Sequence, residues 1–145
     1  MAAATRQQLS RAIAQLMPSI IQGVQLDFFV KRGVTQTQFL VLIAIHGYGR
    51  ATMGTLAHSL HVTMPTASGI VDRLARSGYV RRVPHPQDRR QVLVETTTKG
   101  EAFIAQFQTV IRRRWEEVLH ALEPRELDAF YRVVTKLREQ LQPGR

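Results

Sequence analysis

The chain has 145 residues, enough for one domain that buries a sizeable core. Its formal net charge of +9 favours an anionic partner: nucleic acid, a membrane surface or an acidic ligand. The absence of cysteine excludes disulfides, thiol-based sensing and thiolate metal sites. The sequence has no apolar run of the roughly 18 residues that a membrane span needs, and no signal-peptide pattern. We therefore expect a soluble cytoplasmic protein.

The first part of the chain has the periodicity of an amphipathic helix. Its apolar residues recur at spacings of three or four: Leu9, Ile13, Leu16, Ile20 and Val24. This stripe predicts a long first helix that must bury its apolar side against its own domain or a second subunit. Pro18 lies inside the stripe and is expected to kink or split the helix, and Gly33 is expected to end it.

A second helix is predicted to begin at Thr35, which has the spacing of a capping box with Gln38. Its residues are apolar on most sides, which is typical of a core helix. Gly-Tyr-Gly at residues 47–49 ends it. A shorter helix is predicted from Thr52 to about Leu60, followed by a tight turn.

The segment from Thr63 to Arg76 is predicted to be the helix on which the function depends. Thr63 can cap its start, and Pro65 lies in the first turn, where a missing N–H is tolerated. Its apolar face comprises Ala67, Ile70, Val71 and Leu74. With the preceding short helix it forms a helix-turn-helix, whose second helix enters the DNA major groove.

A short hairpin is predicted directly after this helix. Ser77-Gly78 ends the helix, and residues 79–83 and 91–96 have strand patterns on either side of a proline-containing loop. Six arginines and one acidic residue lie between Arg73 and Arg90. The basic excess of the chain is therefore concentrated in the helix-turn-helix and in this hairpin, which together have the arrangement of a winged helix.

Two long helices are predicted after the hairpin. Thr97 or Thr98 caps the first of them, and Thr98 with Glu101 offers a capping box. Glu123-Pro124 separates it from the last helix. The apolar stripes of these two helices exceed what one winged helix could cover, so we expect a dimer interface. The stripe residues are Phe103, Phe107, Val110, Ile111, Val118 and Leu122 in the first, and Leu127, Phe130, Tyr131, Val134, Leu137 and Leu141 in the second.

The predicted fold class is mainly α with a small β-hairpin wing, that is, a winged helix-turn-helix flanked by long dimerisation helices. We assign residues 1–145 to a single domain. Within it, residues 35–98 form the predicted DNA-binding region, and residues 1–33 and 99–145 form the dimerisation helices.

The order and spacing of these motifs resemble the MarR family of bacterial transcriptional regulators over nearly the whole chain. Five segments carry the resemblance: Leu56-Ala57, Val71-Asp72-Arg73-Leu74, Gly78-Tyr79-Val80-Arg81-Arg82, Asp88-Arg89-Arg90 and Thr97-Thr98-Lys99-Gly100. The resemblance implies a two-fold dimer with one winged helix per subunit. Such a dimer binds a palindromic operator, usually as a repressor relieved by a small ligand. Glu123 departs from the family pattern, in which Ser or Thr usually caps the last helix.

The resemblance also implies roles for the residues of the wing loop. Arg90 is expected to enter the minor groove, where a negative potential attracts a guanidinium, and Asp88 is expected to orient it. Arg89 is expected to meet phosphate. The alternative is a solvated turn with an incidental ion pair.

The predicted groove-facing residues of the second helix are short, polar or cationic: Thr63, Pro65, Thr66, Ser68, Gly69 and Arg73. Arg73 either reads a guanine or holds a phosphate. Three further arginines are expected to contact the DNA backbone: Arg76, Arg81 and Arg82. The alternative for these three is a charged face in water.

Each of the remaining candidate sites has a structural explanation as well as a functional one. By resemblance, an effector pocket is lined by Met17, Ile21, Phe39 and His46, although core packing explains all four equally well. His58 and His61 have a spacing that permits one shared metal ion, but no third ligand is evident, so we expect no metal and no cofactor. The run at residues 112–114, Arg-Arg-Arg, is interpreted as a solvated helix face with intersubunit ion pairs.

We therefore expect a sequence-specific, ligand-responsive repressor. Its partners are double-stranded operator DNA, a second copy of the chain, and a small aromatic or phenolic effector, with no membrane involved. An architectural or non-specific DNA-binding winged-helix protein is the alternative. An enzyme finds no support, because the sequence lacks a nucleophile elbow, a phosphate-binding glycine loop and a carboxylate pair on one stable element.

Overall fold

A computed structural model describes residues 3–22 and 27–141 of the chain, which form seven helices and three strands. The elements are α1 (Arg6–Gln22), α2 (Asp27–Val30), α3 (Gln36–Tyr48), β1 (Arg50–Thr52), α4 (Met53–Ser59), α5 (Met64–Arg76), β2 (Val80–Pro84), β3 (Val92–Thr96), α6 (Thr98–Leu119) and α7 (Pro124–Leu141). Within the described ranges, no helix combines the length and the apolar character that a membrane span requires. The mainly helical fold class is confirmed.

The chain divides into two compact units. The winged-helix unit comprises residues Phe29–Gln106, and the outer-helix unit comprises the described residues up to Phe28 and from Phe107 onward. Helix α6 begins in the winged-helix unit and ends in the outer-helix unit.

The winged-helix unit buries a core of its own. Helix α5 contributes the apolar face that its sequence predicts, because Ala67, Ile70, Val71 and Leu74 are all buried. Helix α3 contributes Val41, Leu42 and Ile45, and α4 contributes Leu56 and Ala57. Leu40 is 61% exposed, so α3 is not buried on every side. The remaining core residues come from the sheet, the loops and the first turns of α6: Val34, Ala51, Tyr79, Val80, Val94, Phe103 and Ile104.

The wing is a three-stranded antiparallel sheet with the order β1-β3-β2. The hairpin of β2 and β3 is confirmed, with Val80 opposite Thr96 and Pro84 opposite Val92. The sequence did not predict β1, which has only three residues and no alternating pattern of its own. It is a strand because Arg50–Thr52 pairs with residues 93–95 of β3, which is a long-range contact that local propensity does not contain.

The predicted helix starts of the winged-helix unit are confirmed. Thr35 and Gln38 form a reciprocal capping box at α3, and Thr52 accepts a hydrogen bond from the backbone N–H of Thr55 at α4. Thr63 caps α5 by accepting from the backbone N–H of Thr66. Each cap satisfies an N–H group that a helix start leaves without an intrahelical partner.

The sequence offered two caps for α6, Thr97 or Thr98, the latter in a capping box with Glu101. Thr97 is the cap, because its hydroxyl accepts from the backbone N–H of Gly100 at 3.2 Å. Glu101 does not serve a capping box with Thr98. Its carboxylate instead accepts from the Thr96 hydroxyl and pairs with Nδ1 of His46 at 3.0 Å. These two contacts, the Thr96 hydrogen bond first, hold the pKa of Glu101 below its usual value.

The start of α6 is also joined to the end of α5. The Thr97 hydroxyl donates to the carbonyl of Gly78, and the Lys99 ammonium donates to the carbonyl of Ser77 at 2.7 Å. The same ammonium lies 4.7 Å from the centre of the Tyr79 ring. A Cβ on Gly100 would lie 2.1 Å from the carbonyl oxygen of Tyr79, so only glycine permits this close approach.

Where the sequence predicts one long N-terminal helix, the structure describes α1 (Arg6–Gln22), with Pro18 inside it, and the short helix α2 (Asp27–Val30). Val24, the last residue of the predicted stripe, lies outside the described residues. Gly33 follows α2 with a positive φ of 63°, which is consistent with its predicted role as a terminator.

The outer-helix unit leaves its apolar stripes largely exposed. None of the residues of α7 is buried, although Leu127, Phe130, Val134 and Leu137 recur at helical spacing. Two arginines of the predicted basic run form ion pairs within α6 itself, Arg112 with Glu116 and Arg114 with Glu117. These arginines lie on an exposed or partly exposed side of α6, and ion pairs between subunits stay a prediction.

Candidate nucleic-acid interface

Helix α5 presents a polar and cationic surface opposite its buried face. Thr63, Pro65, Thr66 and Arg73 are exposed, and Ser68 and Gly69 are partly exposed. A Cβ added at Gly69 would meet nothing within 4 Å, so the helix surface is open at this point. All six residues of the predicted groove-facing set are therefore accessible to a partner.

The first turn of α5 uses some of its own polar groups. The hydroxyls of Thr63 and Thr66 lie 2.9 Å apart and share a hydrogen bond. The Thr63 oxygen also accepts from the backbone N–H of Thr66 at 3.3 Å. One of the two hydroxyl protons is consumed by this arrangement, which leaves one for a partner.

The arginines of the basic segment fall into two groups. Arg81 and Arg82 form short ion pairs, with Glu95 and Asp72 respectively, both at 2.6 Å. Within the described chain, the guanidinium groups of Arg73, Arg89 and Arg90 have no intramolecular hydrogen-bond or ion-pair partner. Arg76 makes one long contact of 3.5 Å, from Nε to the carbonyl oxygen of Asp72. The unpaired group has more donors free for phosphate or base edges.

Glu95 joins all three strands of the wing through its carboxylate. One oxygen accepts from Nε of Arg50 on β1 at 2.7 Å, and the other accepts from Arg81 on β2. The Glu95 side chain is 12% exposed, whereas both guanidiniums are more than half exposed. The hydrogen bond from Arg50, followed by that from Arg81, holds the pKa of Glu95 below its usual value. Sequence reasoning missed Arg50 and Glu95 because it missed β1.

Asp72 is the one acidic residue of α5, and it lies on the same exposed side as Arg76. Its carboxylate accepts from Nη2 of Arg82 on β2. This ion pair joins α5 to β2 and offsets the negative charge of Asp72. The sequence contained both residues, but their pairing depends on how β2 packs against α5.

The wing loop is ordered by its own hydrogen bonds. Nδ1 of His85 accepts from the backbone N–H groups of Gln87 and Asp88, both at 3.1 Å. The carboxylate of Asp88 accepts from the backbone N–H of Arg90 at 3.0 Å. Asp88 therefore positions Arg90 through the main chain and not through an ion pair with its guanidinium, and Arg89 and Arg90 remain exposed. His85 is a positioning residue that sequence reasoning did not identify.

An open cleft of about 430 Å³ lies where the start of α5 approaches the wing. It is lined by Thr52, Met53, Gly54, Met64, Arg90, Gln91 and Val92. Met53, Met64 and Val92 supply its apolar side chains, and Arg90 is the charged residue among the residues that line it.

Of the four residues predicted to line an effector pocket, two belong to the outer-helix unit and two to the winged-helix unit. Met17 and Ile21, in α1, are 45% and 55% exposed. Phe39 packs edge-on against the rings of Phe29 and Phe103, with centroid distances of 5.2 and 5.8 Å. His46 pairs with Glu101, as described above.

The chain is similar to known transcriptional regulators in both sequence and fold. The chain matches the family model described as MarR family over residues 34–92. It is 31% identical over 116 residues to the HTH-type transcriptional repressor YetL of Bacillus subtilis (strain 168), covering 79% of this chain and 70% of that protein. The crystal structure of transcriptional regulator Tm0710 from Thermotoga maritima superposes with a TM-score of 0.77 at 25% identity, covering 94% of this chain and 95% of that one. The crystal structure of wild-type MarR from E. coli, in its apo form, superposes with a TM-score of 0.63 at 25% identity, covering 94% and 98%.

Proposed function

Because this chain belongs to the MarR family of transcriptional regulators and has their DNA-binding winged-helix fold, we propose that it acts as a homodimeric repressor on a palindromic operator. Membership of this family makes the protein a regulator and not an enzyme. The proposal further holds that it works in the cytoplasm and that a small aromatic or phenolic effector releases it from DNA.

The observation that carries the DNA-binding part is the group of unpaired arginines. Arg73 on α5, and Arg89 and Arg90 on the wing loop, are exposed, and their guanidinium groups have no partner within the described chain. In this proposal α5 lies in the major groove, where Arg73 contacts a guanine or a phosphate. Arg90 lies in the adjacent minor groove, and Arg89 meets phosphate.

The paired arginines have a different role in this proposal. Each of Arg81 and Arg82 keeps donors that face solvent, because one carboxylate cannot satisfy a whole guanidinium. They are expected to contact the DNA backbone while remaining held by Glu95 and Asp72. Such contacts orient the protein on the duplex without reading sequence.

The support for a homodimer is the exposed stripe of α7. Large apolar residues exposed at helical spacing need a covering surface, and a second copy of the same stripe provides one with two-fold symmetry. Two symmetry-related recognition helices then require an inverted repeat with half-site centres about 10 bp apart.

Selection of bound sequences from a random DNA pool tests the proposal directly. We expect an enriched inverted repeat, and affinity for it should exceed affinity for scrambled DNA by about 1,000-fold or more at physiological salt. An architectural DNA-binding protein would instead enrich no motif and bind operator and scrambled DNA alike.

Two substitutions then separate the roles within the site. Arg90→Ala should weaken operator binding and flatten the preference for A·T at the flanks. Arg73→Ala should relax the choice of base at one half-site position if it reads a base, and should make the salt dependence shallower on all DNA if it holds phosphate. Arg125→Ala, on α7, is the matched control and should leave both affinities unchanged.

A further inference from the structure

Helix α5, the recognition helix of the proposed function, begins with an exposed apolar side chain. Met64 is the first residue of α5 and is 52% exposed, and Val92, at the start of β3, is 42% exposed. The other large apolar residues of the winged-helix unit that are exposed to this degree lie elsewhere: Val30, Leu40 and Tyr48. In the described part of the unit, Met64 and Val92 are thus the two that belong to the proposed DNA-binding elements.

Met64 and Val92 line the same cleft between the start of α5 and the wing, so their apolar side chains face one opening. The thioether sulfur of Met64 lies 4.0 Å from the position of a Cβ on Gly54, so the side chain rests against the first turn of α4. Arg90 lines the same cleft. An exposed apolar patch beside a cation marks a binding surface, and this one is continuous with the surface proposed for DNA.

Few polar groups near Met64 are free to form hydrogen bonds with the edges of DNA bases. The Thr63 and Thr66 hydroxyls bond to each other, which leaves one hydroxyl proton free in the first turn. The missing N–H of Pro65 removes a backbone donor from the same turn. The first turn therefore presents one free hydroxyl proton beside the exposed apolar side chain of Met64.

The major groove has one apolar group that such a surface can recognise, the 5-methyl group of thymine. We propose that Met64, backed by Val92, packs against this methyl group in each operator half-site and makes thymine the preferred base there. Methionine suits this role because its side chain is flexible and polarisable. The inference rests on the proposed function, since it places α5 in the major groove.

The test removes the methyl group without changing any hydrogen-bonding group of the base. Deoxyuridine replaces thymine at one position at a time in the selected operator, in both half-sites together. Covering one methyl group corresponds to about a fourfold change in affinity. For a two-fold dimer we expect a loss of roughly 15-fold at the one position that Met64 reads and no change at other thymines.

Three variants assign the effect to Met64. Met64→Gln, of similar length but polar, should bind the thymine and deoxyuridine operators equally, and Met64→Leu should keep most of the difference. Leu40→Ala, which removes an exposed apolar side chain outside the proposed interface, should keep all of it. Because Met64 is half exposed, these variants should fold, and thermal melting checks this.

The outcomes distinguish this inference from the proposed function. If wild-type protein prefers its operator to scrambled DNA but is insensitive to deoxyuridine everywhere, the thymine assignment is wrong and the proposed function stands. If Met64→Gln retains full sensitivity, another residue reads the methyl group. If wild-type protein binds operator and scrambled DNA alike, both proposals are wrong.

Discussion

The winged-helix unit and the outer-helix unit differ in where their apolar side chains lie. Among the described residues, the buried apolar side chains belong to the winged-helix unit except for Ile20 and Phe28. Most of the exposed large apolar side chains belong to the outer-helix unit, above all to α1 and α7. The winged-helix unit contains its own core, whereas the outer-helix unit leaves most of its large apolar side chains exposed, which is typical of a protein-binding surface.

The polar contacts of the two units differ in the same sense. In the winged-helix unit they connect distant parts of the chain, as Arg50 with Glu95 and Asp72 with Arg82 do. In the outer-helix unit, the ion pairs of Arg112 and Arg114 connect residues three or four apart on one helix. Ion pairs between distant parts of the chain help to specify a tertiary structure. Ion pairs between residues three or four apart stabilise only the helix in which they lie.

The largest effect is expected from placing a charge in the exposed stripe of α7. Leu137→Asp would introduce one unpaired carboxylate per subunit into a two-fold interface, and each costs several kcal/mol when buried. The dimer dissociation constant should rise by about 1,000-fold or more. Light scattering at micromolar concentration should report a monomer in which the winged-helix unit remains folded by circular dichroism.

Lys136→Asp is the matched control for this prediction. It changes charge on the same helix, away from the stripe, and should leave the dimer intact. A Leu137→Asp variant that remains a dimer at all concentrations would mean that α7 does not form the interface.

The next largest effect is expected where the winged-helix unit is packed most closely. Gly100→Ala places a Cβ 2.1 Å from the Tyr79 carbonyl oxygen, and the nearby atoms belong to the backbone and cannot rotate away. The free energy of unfolding should fall by about 3 kcal/mol, measured by urea denaturation. Gly47→Ala, where a Cβ meets nothing within 4 Å, should be neutral or stabilising by up to ~1 kcal/mol. Equal stability of the two variants would contradict the close approach.

A smaller effect is expected from the ion pair between the recognition helix and the wing. Arg82→Ala and Asp72→Asn each break it, and the coupling free energy in a double-mutant cycle should be about 0.5–1 kcal/mol. Their effects on DNA should be opposite. Removal of the acid should raise affinity for scrambled DNA, and removal of the arginine should lower it. If the two substitutions are additive in stability, the ion pair contributes nothing.

The smallest effect is a pH dependence that originates at Glu95. Arg50 and Arg81 favour its ionised form, so its pKa is lower in the folded state than in the unfolded chain. The stabilisation is therefore fully present above the unfolded pKa of about 4.3 and is lost as the pH falls through the lower folded value. Urea midpoints measured between pH 7 and pH 2.5 should fall less steeply for Glu95→Gln than for the wild-type protein. Parallel curves would exclude this contribution.

The sequence was sufficient for features that depend on neighbouring residues. Thr35 and Thr63 cap the helices that they were predicted to cap, and the helix predicted from Thr52 has Thr52 as its cap, since a cap needs only a hydroxyl and an N–H three residues away. The hairpin of β2 and β3 followed from strand patterns on either side of a proline-containing loop. The choice between Thr97 and Thr98 stayed open, because it depends on the carbonyl of Gly78, which lies 19 residues away.

The candidate site divides in the same way. Its residue types and its basic excess could be listed from the sequence, because the recognition helix and the wing loop are each continuous segments. The sequence did not show which arginines stay unpaired. Arg82 pairs with Asp72, ten residues before it, and Arg81 pairs with Glu95 on the next strand. The charge pattern of the sequence also did not identify Met64, because its exposure depends on how the wing packs beside the start of α5.

The sequence by itself thus determined the order of the longer helices and of the β2–β3 hairpin, the buried face of α5 and the family of the protein, because all of these depend on local spacing and short motifs. Only the tertiary structure decided that Arg50–Thr52 is a strand, that Gly100 must be glycine, and that Asp88 acts through the backbone of Arg90. The physical reason is that each of these depends on atoms brought together by packing, which a one-dimensional pattern does not specify.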